Sequence, residues 1–300
     1  MDKFKQVITL TVGIPASGKD TWAREMCEKY PDKTVVVNRD VIRARDYTKT
    51  GSIHDYKYTR SKERQITEKQ QRYASFALQQ GKSVIVSDTN LNAGTCEGWA
   101  EFAAKNDVAI TYEAFITPLH TCIKRNAKRA DYVPESVLIR METKMRGQLG
   151  KYVHDKSNPN NLPECVIFDI DGTLADMKGV RGPFEWDKVG SDKPRRFVCE
   201  YLQGVYDVGD KVIIFSGRDS VCREQTELWL KERDLGYDDL FMRAEGSTTP
   251  DTIVKEEMFD KHIKGKYHVS HIVDDRKAVC QMWESMGFDV MNVGGFSADF

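Results

Sequence analysis

Residues 13–20 read GIPASGKD and residues 166–176 read VIFDIDGTLAD, two stretches with the residue types for phosphorus chemistry. In the first, Gly13, Gly18 and Lys19 match G-x-x-x-x-G-K, the spacing that turns backbone N–H groups toward phosphates. Lys19 would neutralise the β/γ charge at a helix N-terminus. The next position should offer a hydroxyl to Mg²⁺, yet it is Asp20. In the second, Asp169 and Asp171 stand two apart at the end of an apolar run. Residues i and i+2 point the same way from an extended strand. Two carboxylates there need a cation to tolerate burial.

Further polar residues follow each apolar run of the first half. Asn38-Arg39-Asp40 and Arg43 come after residues 34–37, and Ser87-Asp88-Thr89-Asn90 after residues 83–86. A carboxylate beyond the second strand can take the proton of an attacking hydroxyl, so Asp40 is a candidate general base. It could equally cap the helix that follows. KRNAKR (124–129) spaces Arg125 and Arg129 four apart. On a helix that puts them on one face, as a pair of guanidiniums for a transferring phosphoryl group. A solvated basic face is the plain alternative.

These residues need elements to hold them. Runs rich in Val, Ile and Thr at 7–12, 34–38, 83–88 and 108–116 predict strands, with helical segments between. Alternation resumes at 165–168, 212–215 and 268–273, with helices expected over 223–233 and 251–262. Each half therefore predicts an α/β domain, a mostly parallel sheet flanked by helices. The polar stretch GKYVHDKSNPNNLPE separates them, so the expected limits are 1–152, a linker 153–163, and 164–300.

Composition agrees with two soluble globular domains, since 300 residues are 40% hydrophobic and 30% charged, ordinary values for such chains. No apolar run approaches a membrane span, and MDKFKQVITL lacks the layout of a signal peptide. Seven scattered cysteines without a C-x-x-C pair suggest reduced thiols, no structural zinc, and a cytoplasmic setting. The net charge of −1 hides an asymmetry. Residues 1–160 carry 27 Lys and Arg against 19 Asp and Glu, and residues 161–300 carry 18 against 27. A basic first half can attract a polyanion, and an acidic second half can hold a metal.

Asp-x-Asp-Gly-Thr resembles the haloacid dehalogenase phosphatase superfamily. Its remaining motifs appear in order as Phe215-Ser216-Gly217-Arg218, Lys255 and Asp274-Asp275-Arg276. That resemblance implies that Asp169 attacks phosphorus, while Asp171 protonates the leaving oxygen and then activates water. It implies Mg²⁺ held by Asp169, Asp274 and the Asp171 carbonyl with Asp275 in support, and phosphoryl oxygens bound by Ser216, Gly217 and Lys255. Forty-four residues separate Asp171 from Ser216, and 38 separate Ser216 from Lys255, too few for a large cap. An open site favours a bulky phosphorylated end, whose remainder could meet Arg181, Arg218 and Arg276.

Taken together, the motifs resemble the phage polynucleotide kinase–phosphatases over essentially the whole chain, a P-loop kinase fold followed by a haloacid dehalogenase-like fold. The resemblance implies transfer of the ATP γ-phosphate to a 5′-hydroxyl of RNA or DNA, and removal of a 3′-phosphate or a 2′,3′-cyclic phosphate. Asp40 is then the kinase base, and Arg43, Asp88 and Thr89 organise the acceptor nucleotide. Arg125 and Arg129 clamp the donor phosphates, with Arg129 also catalytic. Gly13, Ser17, Gly18, Lys19, Asp20 and Thr21 are the candidate contacts to ATP and its metal. Thr21 is a poor stand-in for the missing hydroxyl, since it points ~100° around the helix. The family further implies a homotetramer, a ligase as pathway partner and, for a phage-encoded chain, the host cytoplasm. Three other readings stay open: a small-molecule kinase fused to a phosphatase, a nucleic-acid-binding phosphatase whose kinase half is impaired by Asp20, and a chain whose main job is assembly.

Overall fold

The computed structural model describes residues 6–294. The chain divides into two units, Met1–Lys151 and Tyr152–Phe300.

In the first unit the apolar runs become β1 (Val7–Val12), β2 (Thr34–Val37), β3 (Ser83–Val86) and β4 (Ala109–Ala114). They form one sheet in the order β2-β3-β1-β4, with every pairing parallel. The helices are α1 (Lys19–Lys29), α2 (Arg39–Tyr47), α3 (Arg60–Gln79), α4 (Ala93–Lys105), α5 (Leu119–Asn126) and α6 (Glu135–Gln148). Strand β3 is buried along its whole length, as a central parallel strand covered on both faces must be. Ile8, Leu10, Val84 and Val86 pack with Ala74, Leu78 and Trp99. Val12 and Ile14 pack instead with Leu119, Cys122, Leu138 and Met145 of α5 and α6. Because β1, β2 and β3 run parallel, their C-terminal ends deliver Gly13, Asn38 and Ser87 to one rim.

The second unit holds β5 (Glu164–Phe168), β6 (Ala175–Asp176), β7 (Lys193–Pro194), β8 (Lys211–Asp219), β9 (Asp239–Arg243), β10 (His268–Asp274) and β11 (Val290–Asn292). Its helices are α7 (Arg196–Asp207), α8 (Arg223–Lys231), α9 (Asp251–His262) and α10 (Lys277–Ser285). A parallel sheet runs in the order β11-β10-β5-β8-β9. Alternation sorts its side chains to two cores. Val166, Phe168, Val212 and Ile214 face α7 and Trp229, whereas Cys165, Ile167, Ile213 and Phe215 face Phe259 and Trp283. The antiparallel pair β6–β7 pins the two ends of residues 177–192.

Tyr152 and residues 153–163 belong to the second unit, and the first of them are packed despite a polar composition. The Tyr152 ring lies 4.9 Å from Phe259, and the His154 ring stacks at 4.6 Å on Phe288. The His154 N–H donates to the Met286 carbonyl at 2.7 Å. Among the described residues, no helix is long and apolar enough to cross a membrane.

Candidate functional sites

At the rim of the first unit, β1 ends at Val12 and α1 begins at Lys19. Gly18 before the helix has φ +102°, a left-handed conformation that glycine adopts without the penalty of a Cβ. That turn starts the helix with Lys19 buried at its N-terminus, where the dipole favours an anion. Ser17 is buried beside it, and its Oγ has no partner. A cavity of about 720 Å³ opens in front, lined among others by Lys19, Asp20, Asp40, Arg43, Asp88 and Arg129.

Asn38 caps α2, its side chain accepting from the Val41 N–H at 3.1 Å. The capping alternative for Asp40 is thereby excluded. Asp40 lies in the first turn with its side chain 63% exposed and accepts from Arg43 Nη1 at 2.6 Å. Arg43 is anchored from behind by Glu63 of α3, whose carboxylate also receives Arg39 at 2.8 Å and the Tyr56 hydroxyl at 2.7 Å. Burial alone would raise the Glu63 carboxyl, but hydrogen bonds from Arg43, Tyr56 and Arg39 bring it down to about 2, since each favours the charged form. Asp88 accepts the Arg39 N–H at 2.9 Å and Gln70 Nε2 at 2.7 Å, and burial holds its carboxyl above the ordinary value. Thr89 lines the same cavity, and its carbonyl accepts from the Gly13 N–H at 3.1 Å. Asp20 is engaged by both neighbours: Lys19 Nζ lies 3.1 Å from Oδ2, and Ser87 Oγ donates to Oδ1 at 2.5 Å. Thr21 is exposed and stands apart from the cavity lining.

Arg125 and Arg129 do not share a helical face. Helix α5 stops at Asn126, whose buried side chain donates to the Val133 carbonyl at 2.7 Å and accepts the Val133 N–H at 3.1 Å. That local competition with the helix ladder turns the chain early. Arg129 therefore enters the cavity from a loop, its Nε and Nη2 paired with Asp131. Arg125 lies over the loop between β1 and α1, its Nη1 3.5 Å from the Ala16 carbonyl.

In the second unit, β5 and β10 end side by side and bring Asp169 and Asp274 together, and β8, which pairs with β5 and runs on to Asp219, carries Ser216 on the neighbouring strand. Lys255, from α9, donates to Asp169 Oδ1 and Asp274 Oδ2, both at 2.7 Å. Asp169, Asp274 and Asp275 each offer an oxygen, all within 4.8 Å of one another. Gly172 has φ +84°, and any Cβ there would collide with the Asp275 carboxylate. Only glycine meets both demands. Burial raises the Asp169 carboxyl even with the Lys255 ammonium beside it, and burial with Asp274 pushes Asp275 up to about 6. Burial would lower the Lys255 ammonium, but Asp169 and Asp274 hold it raised. Three hard oxygen donors forced together at this cost in charge suit a small divalent cation.

The Asp171 carboxylate stands apart from that trio. Its Oδ1 accepts Arg181 Nη2 at 2.7 Å, Arg218 Nε at 2.9 Å and Arg218 Nη2 at 2.7 Å. Both arginines also bond to Asp192, which is fully buried. The side chains of Arg181 and Arg218 are 0% exposed, so they do not face outward along a polymer. Burial without a carboxylate would be too costly for a guanidinium, and Asp171 and Asp192 draw both inward. Arg276 keeps an exposed side chain, paired at 3.2 Å with Asp251. Ser216 is buried and its Oγ accepts the Arg218 N–H at 3.2 Å, while the Gly217 carbonyl accepts Arg243 Nε at 2.9 Å.

Sequence reasoning missed Glu63, Asp131, Asp192 and Asp251. Glu63 pairs with residues 20 and 24 positions away, and Asp192 with Arg218, 26 away. No local spacing announces such partners.

Residues 163–299 match the family described as the polynucleotide kinase PNKP phosphatase domain, and residues 8–147 match a family described as an AAA domain. The putative bifunctional polynucleotide kinase/RNA ligase of Autographa californica nuclear polyhedrosis virus is 31% identical over 293 residues, covering 94% of this chain and 41% of the relative. The chain thus spans about two fifths of that relative's length. Among solved structures, a chain of the Pnkp1/Rnl/Hen1 RNA repair complex is 28% identical, with 97% of each chain covered and a TM-score of 0.44. The D,D-heptose 1.7-bisphosphate phosphatase of B. bronchiseptica is 13% identical over 42% of this chain and 78% of its own, with a TM-score of 0.31.

Proposed function

From a chain whose residues 163–299 match the polynucleotide kinase PNKP phosphatase domain family and whose residues 8–147 match an AAA-domain family, we propose an enzyme that heals nucleic-acid ends. One site moves the γ-phosphate of ATP to a 5′-hydroxyl. The other removes a 3′-phosphate or a 2′,3′-cyclic phosphate. The observation that carries the reading is the division of labour around Asp169 and Asp171. One carboxylate lies in the cation-binding trio beside Lys255, and the other is held apart by two arginines.

In the phosphatase, Asp169 attacks phosphorus and becomes an aspartyl phosphate as the bond to the leaving oxygen breaks. Asp171 gives that oxygen a proton, then takes one from the water that cleaves the aspartyl phosphate. Lys255 and Ser216 bind phosphoryl oxygens, and the exposed Arg276 adds positive charge near the phosphorylated end, while the buried Arg181 and Arg218 hold the Asp171 carboxylate in place. Mg²⁺, held by Asp169, Asp274, Asp275 and the Asp171 carbonyl, would offset the negative charge of the carboxylates and the phosphate.

In the kinase, backbone groups of Gly13, Ser17 and Gly18 cradle the donor phosphates, and Lys19 neutralises them. Asp40 accepts the proton of the attacking hydroxyl, with Arg43, Asp88 and Thr89 orienting the acceptor. Arg125 and Arg129 draw off the charge of the transferring phosphoryl group, Arg129 from inside the cavity. Asp20 can serve Mg²⁺ as a carboxylate in place of a hydroxyl. A second reading, a phosphatase whose kinase half is impaired, draws on the same residue, since Asp20 already pairs with Lys19.

A ligase is the reaction that must follow, and the baculovirus relative's name joins the two activities. Assembly into a homotetramer is part of the proposal and is tested by light scattering. The chemistry is tested on an oligonucleotide with a 5′-hydroxyl and a 3′-phosphate, incubated with and without ATP and Mg²⁺. Gain of a 5′-phosphate and loss of the 3′-phosphate support the reading. Transfer only to free nucleosides or sugars selects a metabolite enzyme, and 3′-phosphate loss without 5′ transfer selects the impaired-kinase reading.

A further inference from the structure

Between β6 and β7, residues 177–192 form a flap tied down from inside by buried Arg181, Val189 and Asp192. Its outer part is a closed turn. The Gly182 N–H donates to Glu185 Oε2 at 2.6 Å, and the Glu185 N–H donates to the Gly182 carbonyl at 3.3 Å. At the tip of that turn Phe184 is 81% exposed, the most exposed large apolar side chain among the described residues. Its ring meets Trp186 edge-on at 6.0 Å, and the Trp186 ring lies 5.8 Å from the Arg181 guanidinium carbon. Arg181 in turn reaches Asp171 at 2.7 Å. A line of contacts thus runs from a solvent-facing ring to the carboxylate that handles the leaving group.

The charge around this line is opposite to that of its half of the chain. Leaving aside the buried Arg181 and Asp192, residues 177–197 carry Lys178, Lys188, Lys193, Arg195 and Arg196 against Glu185 and Asp187 alone. A basic flap bearing an exposed ring, Phe184, backed by the half-buried Trp186, is the combination that grips single-stranded nucleic acid, with cations on the backbone and rings under the bases. We propose that Phe184 and Trp186 form a stacking platform for the unpaired bases upstream of the 3′-phosphate that the second site removes. The proposal rests on the 3′-phosphatase reading and gives its substrate a single-stranded tail. Phe184 stands two ring contacts beyond Arg181, so it meets upstream bases and not the phosphate. The Gly182 and Glu185 N–H groups are spent within the turn, so the rings at its tip, whose faces accept any base, carry the contact.

The test compares kcat/KM for an unpaired 3′-phosphorylated hexanucleotide with kcat/KM for a nucleoside 3′-phosphate, using the full chain. Phe184→Ala and Trp186→Ala should each lower the preference for the hexanucleotide by at least about fivefold, the lower end of base–aromatic stacking, mainly through KM. Phe184→Tyr should keep the preference and Phe184→Leu should lose it. Equal losses on both substrates, or a Leu variant as good as Phe, overturn the platform. So does a lower mass by light scattering for Phe184→Ala, because the ring would then belong to a contact between copies. A wild-type chain inactive on both substrates sinks the phosphatase reading itself, whereas an active one with unaltered preference in Phe184→Ala sinks only the platform.

Discussion

The two candidate sites hold their charges in opposite ways. In the second unit Lys255, Asp169 and Asp274 are almost sealed, and the arginines beside Asp171 are wholly so. In the first unit Asp40 and Asp20 stand largely in solvent, 63% and 51% exposed, each with a single cation on one oxygen. A buried network locks its geometry, because releasing any member strands a charge in low dielectric. Exposed pairs hold weakly and rearrange at little cost. The second site is therefore held in one arrangement by its own charges. The first site is a cavity whose ion pairs, Lys19 with Asp20 and Arg129 with Asp131, must open before the phosphates of the proposed donor can take the cations.

The largest effect should come from the sealed side. Asp169→Asn removes the proposed nucleophile, so 3′-phosphate release should fall at least about a thousandfold while 5′ transfer stays within about twofold. Loss of both activities in a folded protein would break the division into two independent sites. Next comes Asp40→Asn, with kinase turnover down about a hundredfold or more and phosphatase unchanged. Because Asn38 holds the cap, thermal stability of this variant should move by under ~0.5 kcal/mol. Near-normal kinase turnover would show that Asp40 only neutralises Arg43.

How these sites became legible differs as well. Parallel strands deliver their chemistry at their ends, so an apolar run followed by Asp-x-Asp-Gly-Thr or Asn-Arg-Asp could be read directly. Strand β1 and helix α9 match the expected limits, since alternation and a starting proline-aspartate pair mark them locally. Strands β9 and β11 lie at the sheet edges and are mostly half-buried or exposed, so their sequences DLFMR and VMN carry no clean pattern. Arg125 and Arg129 misled through spacing alone. A buried Asn126 bonded across to Val133 ended the helix, a contact with a loop that periodicity cannot see. Arg181 and Arg218 misled through the habit of arginine, which is to face water, because their partner Asp192 carries no motif.

Asp20→Ser should have a smaller effect and sharpens what the open site tolerates. Serine removes the carboxylate that pairs with Lys19, so ATP binding without Mg²⁺ should tighten about threefold to tenfold. With Mg²⁺ the two proteins should bind ATP alike if Asp20 serves the metal. Calorimetric titration in chelator and in Mg²⁺ measures both. Tighter binding under both conditions would mark position 20 as a lesion, and no change in chelator would mean that the Lys19–Asp20 pair exerts no hold on the cavity.

The smallest effect tests whether the open site has any fixed part. Glu63 is its best-held charge, receiving Arg39, Arg43 and the Tyr56 hydroxyl, with its carboxyl down at about 2. A carboxyl depressed in the fold stabilises it above the unfolded value of about 4.3 and ceases to as pH falls toward the folded value. Solvent reaches these side chains, so the contribution is on the order of 1 kcal/mol. Glu63→Gln should therefore lower the unfolding midpoint of the first unit by a few degrees at about pH 7, and the gap should close between about pH 4.5 and about pH 2. Kinase turnover should fall with it, because Arg43 loses the anchor that aims it at Asp40. A gap that stays constant through the acid range would mean that shape and not charge holds Arg43, and the contrast between a locked site and an open one would then rest on Asp20 and Asp40 alone.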